Sequence, residues 1–211
     1  MTALDLPDPT VDALTIAADA GYEAQAARPP LDADDRALAE QMIGRPLRGE
    51  SAAAVRCGWG LPAVLRVDPA LADGTPFPTV FWLACPVANS AIGTLEASGV
   101  MQDLKARVQD EADLAPAHRR AGARYVAFRD GLGPPVPGDP AAGGMPDRVK
   151  CLHTLYGHHL ATDDNPVGAW VAEQIEPLTC RTPCATLPDD ASGQDLVGDL
   201  LDDQPLTVEG Q

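Results

Sequence analysis

Between Gly143 and Gly168 the sequence GGMPDRVKCLHTLYGHHLATDDNPVG crowds Cys151, His153, His158 and His159 into a short run, the densest concentration of reactive side chains in the chain. A thiol beside an imidazole serves two chemistries. A zinc ion takes about four sulfur and nitrogen ligands. A cysteine nucleophile needs a histidine within hydrogen-bond reach to hold its thiolate. For zinc, Cys151 with His153 or His158 would be joined by Cys57 and Cys85 from elsewhere in the chain. For a nucleophile, the candidates are Cys151 or Cys57, with His153 or His158 as base. Arg56 lies next to Cys57, and Arg148 and Lys150 lie just before Cys151, so an anion could be held beside either thiol. The plain alternative is a buried cysteine with satisfied histidines, because free cysteine is among the most buried residue types.

The elements that would position these residues follow from periodicity. Pro146 and Asp147 suit a first helical turn, and Val149, Leu152, Tyr156 and Leu160 then share one face. On that helix Cys151 and His158 fall within about 20° of each other on the opposite side. Were 151–153 extended instead, Cys151 and His153 would share a side. Upstream, Asp32 can cap a helix that Gly44 and Pro46 stop. Ala54–Cys57 and Leu61–Val67 read as two strands joined by a glycine turn, and Thr79–Cys85 as a third. Cys57 and Cys85 then sit at strand ends. Helical patterns return at 89–108, 116–128 and 167–175, separated by a glycine- and proline-rich loop over 131–144. His118 reads as a core histidine. Cys180 and Cys184 form a C-x3-C spacing read as two unrelated thiols rather than a metal clip or labile disulfide. The expected fold is α+β: a small antiparallel sheet of about three strands packed with five or six helices, spanning 31–186.

Composition limits the partners. The 211 residues carry 31 acids against 15 lysines and arginines, a net charge of −16. Residues 1–35 and 189–211 hold −7 each, which leaves the body nearly neutral. Acidic ends disfavour nucleic acid and anionic membranes, and they read as disordered, solvating segments: a flexible arm over 1–30 and a tail over 187–211. Leu196, Val197, Leu200 and Leu201 could dock the tail on a protein partner. No secretory signal or membrane-spanning run is visible, so a cytoplasmic protein is expected, in which five scattered cysteines read as thiols or metal ligands.

Several strings together resemble one family: Arg56-Cys57 with Gly60-Leu61-Pro62-Ala63-Val64, Asp73-Gly74-Thr75-Pro76-Phe77-Pro78-Thr79 leading to Cys85-Pro86, Leu95-Glu96-Ala97-Ser98-Gly99, Gly143 to His153, and Asn165-Pro166-Val167-Gly168. Over about 35–170 the chain is similar to the actinobacterial domain of unknown function 501. The resemblance brings no established activity. The neighbourhood of its genes, beside those for a septum-formation initiator protein and an exopolyphosphatase, implies a link to cell division or phosphate metabolism. It directs attention to Cys57, Cys85, Cys151 and His153. The leading expectation is an accessory or regulatory protein with a Cys/His site holding zinc, and the alternative is an enzyme with a cysteine nucleophile acting on a small anion.

Overall fold

The computed structural model of the chain describes residues 11–12, 14, 16–138 and 140–188. The sheet begins where β-branched and small apolar residues alternate with turn signals. β2 (Ser51–Arg56), β3 (Pro62–Val67) and β4 (Phe81–Leu83) form an antiparallel sheet in the order β2-β3-β4, with Ala53 opposite Leu65 and Leu65 opposite Trp82. A two-residue strand β1 (Val11–Asp12) pairs antiparallel with β5 (Thr179–Cys180), joining the two ends of the described chain.

Among the described residues, seven α-helices complete the α+β fold: α1 (Tyr22–Ala26), α2 (Ala33–Ile43), α3 (Pro86–Ala97), α4 (Val100–Asp110), α5 (Leu114–Leu132), α6 (Leu152–Thr162) and α7 (Pro166–Ile175). Asp32 caps α2 by accepting from the Asp35 amide, and Gly44 ends it, as the sequence predicts. α3 starts three residues before the helical pattern expected from 89, because Pro86 takes the first helical position, where its missing N–H costs nothing. None of the described helices is long and apolar enough to cross a membrane.

The centre of the molecule is α6. Its residues from Thr154 to Thr162 are all buried, the signature of a helix packed on every side. It lies on β4, where Gly157 brings it against the Phe81 carbonyl, and α7 packs closely along it. Phe81 stacks on the His158 ring at 5.7 Å, and Tyr125 meets that ring edge-on at 5.0 Å. The α6–α7 contact explains the Asn165-Pro166-Val167-Gly168 string. The Asn165 side chain caps α7 by accepting from the Gly168 amide at 2.9 Å. A Cβ on Gly168 would overlap the Leu155 carbonyl oxygen, so only glycine lets the helices approach this closely.

The N-terminal stretch read as an arm is engaged over its described second half. Gln25 is fully buried and donates to the carbonyls of Ala54 (3.3 Å) and Ala161 (2.9 Å). The Arg66 guanidinium donates to the Gln25 carbonyl at 2.8 Å. The apolar tail segment 196–201 and residues 1–10 lie outside the described residues.

Candidate functional site

The helix expected from Pro146 begins instead at Leu152, and this changes which histidine Cys151 meets. The Arg148 amide donates to the Gly144 carbonyl (3.0 Å), closing a single turn, and the Lys150 amide donates back to the Gly143 carbonyl (2.7 Å), so 148–150 is held against the glycine loop and the helix starts only at Leu152. Gly144 has φ +96°, and a Cβ there would lie 2.9 Å from the Lys150 amide nitrogen, so the close return requires glycine. Cys151 is left as the extended N-cap of α6 (φ −150°, ψ 111°). Its partner is therefore His153, not His158: Cys151 Sγ lies 3.8 Å from His153 Nδ1.

Glu96, at the end of α3, completes the group. Its Oε1 accepts from the Leu152 amide at 2.7 Å and lies 3.4 Å from His153 Nδ1. One ligand atom from each of Glu96, Cys151 and His153 falls within 4.8 Å of the other two, and among the described residues no other group of three or more such side chains does so. His153 Nε2 is 3.2 Å from the Asn89 carbonyl, an acceptor, so that nitrogen carries the proton and Nδ1 faces the thiol and the carboxylate.

The electrostatics are coupled. Burial pushes the Cys151 thiol up, but the hydrogen bond shared with His153 and those from the Thr154 amide and hydroxyl outweigh it, leaving the thiol below its ordinary pKa. The hydrogen bond with Cys151 raises His153 against the opposing effect of burial, and the charges of Cys151 and Glu96 add to the rise.

Cys151 and His153 face a cavity of about 920 Å³. Its walls combine apolar side chains such as Met42, Phe81, Trp82 and Met145 with Arg45, Arg148 and Lys150. The glycine- and proline-rich loop forms one wall and is pinned by the buried Arg129, which donates to the Pro140 carbonyl at 2.6 Å.

The other sequence candidates lie elsewhere. Arg56 is held bidentately by Asp35 and is not part of the cavity lining. Cys57 follows β2 in the turn, and Cys85 is the N-cap of α3. Neither joins the Glu96–Cys151–His153 group. Both instead interact electrostatically with the C-x3-C pair. Cys85 is raised by burial and then by Cys184 and Cys180, and Cys180 and Cys184 are raised by burial and then by Cys57. Sequence reasoning missed Glu96 and Arg45. The Leu95-Glu96-Ala97-Ser98-Gly99 string held a signal for the first, and nothing local marked the second.

His158 is a core residue. Asn165 Nδ2 donates to its Nδ1 at 3.0 Å, its Nε2 donates to the Tyr22 hydroxyl at 2.6 Å, and that hydroxyl donates to Asp164 at 3.0 Å. Arg124 holds Asp164 in turn. Burial drives the His158 pKa from 6.5 down to about 3, and burial also lowers His118 and His159. An unfolded chain takes up these protons near pH 6.5 while the folded one does not, so acidification favours unfolding. The His158 contribution, intact above pH 6.5, is expected to fall by about 3 kcal/mol by pH 4. Thermal melts from pH 7 to pH 4 should show a progressive loss of Tm, and a flat profile would contradict this account.

Searches of curated proteins and of solved structures return no match. One family, described as Protein of unknown function (DUF501), matches residues 53–173. That span holds the three-stranded sheet apart from the start of β2, Glu96, and the Cys151–His153 pair with the two basic residues before it. The match covers more than half of the chain, and the chain therefore belongs to the DUF501 family.

Proposed function

We propose that Glu96, Cys151 and His153 bind one zinc ion at the wall of the cavity, and that the protein acts as a zinc-dependent enzyme on a small anionic substrate. The observation that carries the reading is the orientation of His153. With its Nε2 proton committed to Asn89, the Nδ1 lone pair faces a carboxylate oxygen at 3.4 Å and a thiol sulfur at 3.8 Å. With the sulfur as thiolate, these three electron-pair donors repel one another unless a proton or a metal cation sits between them. A ligating histidine usually donates its other ring N–H to a carbonyl or carboxylate, as Nε2 does to Asn89. Structural zinc sites are closed by four protein ligands, whereas catalytic ones have three and keep a position open. Zinc bound this way would lower the pKa of a coordinated water toward neutrality or polarise a bound oxygen. Its double charge would balance those of Cys151 and Glu96.

A second reading places a proton where the first places zinc. The lowered thiol and raised imidazole favour a thiolate–imidazolium pair, with Cys151 as a nucleophile at a helix N-terminus. Metal analysis of protein purified with reduced thiols separates the two. The first reading expects close to one zinc per chain and slow alkylation of Cys151 by iodoacetamide that accelerates on chelation. No zinc, even after growth with added metal, together with rapid labelling of Cys151 at neutral pH, would overturn the zinc reading and leave the thiolate. Slow, uniform labelling of all cysteines without metal would remove both.

A further inference from the structure

The cavity's charge identifies the class of molecule it admits. The chain has twice as many acids as basic residues, yet among the described residues lining the cavity there are three basic side chains and no carboxylate. Arg45, Arg148 and Lys150 are exposed, and none pairs with a carboxylate among the described residues. By contrast Arg56, Arg107 and Arg124 each find an acid. Arg148 and Lys150 flank the fully buried Val149, and both line the cavity. Their backbone is fixed by the amide hydrogen bonds to the Gly144 and Gly143 carbonyls, so the two charges are presented from a braced loop. Arg45 lies over the Trp82 ring, 5.2 Å from its centroid, which places a third cation against an aromatic wall. Concentrated positive charge in an acidic protein attracts anions and repels cations, and low-dielectric walls strengthen the effect.

Much of the remaining wall is apolar, from Met42 and Ile43 to Phe81, Leu83 and Met145, with Thr79, Asn89 and Thr154 among its polar side chains. A volume of about 920 Å³ far exceeds what a bare inorganic anion fills and suits a drug-sized organic molecule.

We infer that the cavity binds a small organic acid, its phosphate or carboxylate group held by Arg148, Lys150 and Arg45 and its apolar or aromatic body set against Trp82, Phe81 and Met145. This names the substrate class for the zinc reading above and rests on that reading for its catalytic sense, but the binding itself needs no metal. The anionic group and the apolar body must act together, which separates this site from a surface that merely attracts ions.

Calorimetric titration of the full chain, zinc-loaded and after chelation, with phenyl phosphate, benzoate, inorganic phosphate and phenol tests the inference. The chelated protein is expected to bind phenyl phosphate or benzoate at least about tenfold more tightly than inorganic phosphate and phenol. Preference for phenyl phosphate would assign the anionic group as phosphate, and preference for benzoate would assign it as carboxylate. The triple variant R45Q/R148Q/K150Q should lose that binding by at least about tenfold while keeping its zinc content, since none of the three is a proposed ligand. Binding of both organic acids no tighter than that of inorganic phosphate, binding of phenol as tight as that of the organic acids, or undiminished binding by the triple variant would each overturn it. A wild-type chain that holds zinc but neither organic acid overturns this inference and leaves the metal site. One that binds the acid without ever retaining zinc supports it and removes the metal.

Discussion

Substituting serine for Cys151 is expected to weaken zinc binding by at least about a hundredfold, since loss of a direct ligand should exceed the 10–100-fold cost of losing an outer-shell partner. Serine is a preferred N-cap, so α6 should start as before and the circular dichroism spectrum should be unchanged. The change therefore separates metal binding from folding. Glu96→Gln retains an oxygen for the Leu152 amide but removes the charge, and a loss of about tenfold or more is expected. Competition with a chromophoric chelator measures both. If C151S holds zinc as tightly as the parent chain, the Glu96–Cys151–His153 site is not where the metal binds.

The largest stability effect is expected at Gly168. An alanine there places its Cβ onto the Leu155 carbonyl oxygen and 2.6 Å from His159 Cβ. The obstacle is largely the backbone of a helix packed on every side, so no side-chain rotation relieves it and α7 must move off α6. That movement strains the Asn165 bonds to Gly168 and His158. A loss of about 3 kcal/mol or more follows, at the upper end of overpacking costs, with a fall in Tm of about 10 °C for a chain of this length. Urea denaturation of G168A should show a lower midpoint at similar slope. A midpoint within error of the parent would mean the two helices are not this close.

How much of this was legible in the sequence depended on whether the signal was local. The cap at Asp32, the stop at Gly44 and the strand at Phe81–Leu83 were readable because each rests on neighbours in the chain. Cys151 and His153 stood out for the same reason. The start of α6 was misplaced because proline and periodicity argued for a helix from 146, while the competing bonds from Arg148 and Lys150 to a glycine loop are invisible in a periodicity count. Glu96 reaches the site only because α3 ends beside the start of α6, a contact across 56 positions. Arg45 reaches the cavity only because α2 ends at its edge. The same limit applies to Gln25, whose amide supports carbonyls of β2 and α6 from a segment that charge and prolines alone described as an arm.

The docking of α1 has a consequence for where this protein can be cut. The family match opens at residue 53, yet His158 and the carbonyls of Ala54 and Ala161 draw their partners from Tyr22 and Gln25. A fragment trimmed to 53–173 would carry dry, unanswered polar atoms at its centre, each costing on the order of 1–3 kcal/mol. The region recognisable by descent is smaller than the unit that must fold together, and the amino-terminal segment acts as the keystone between them.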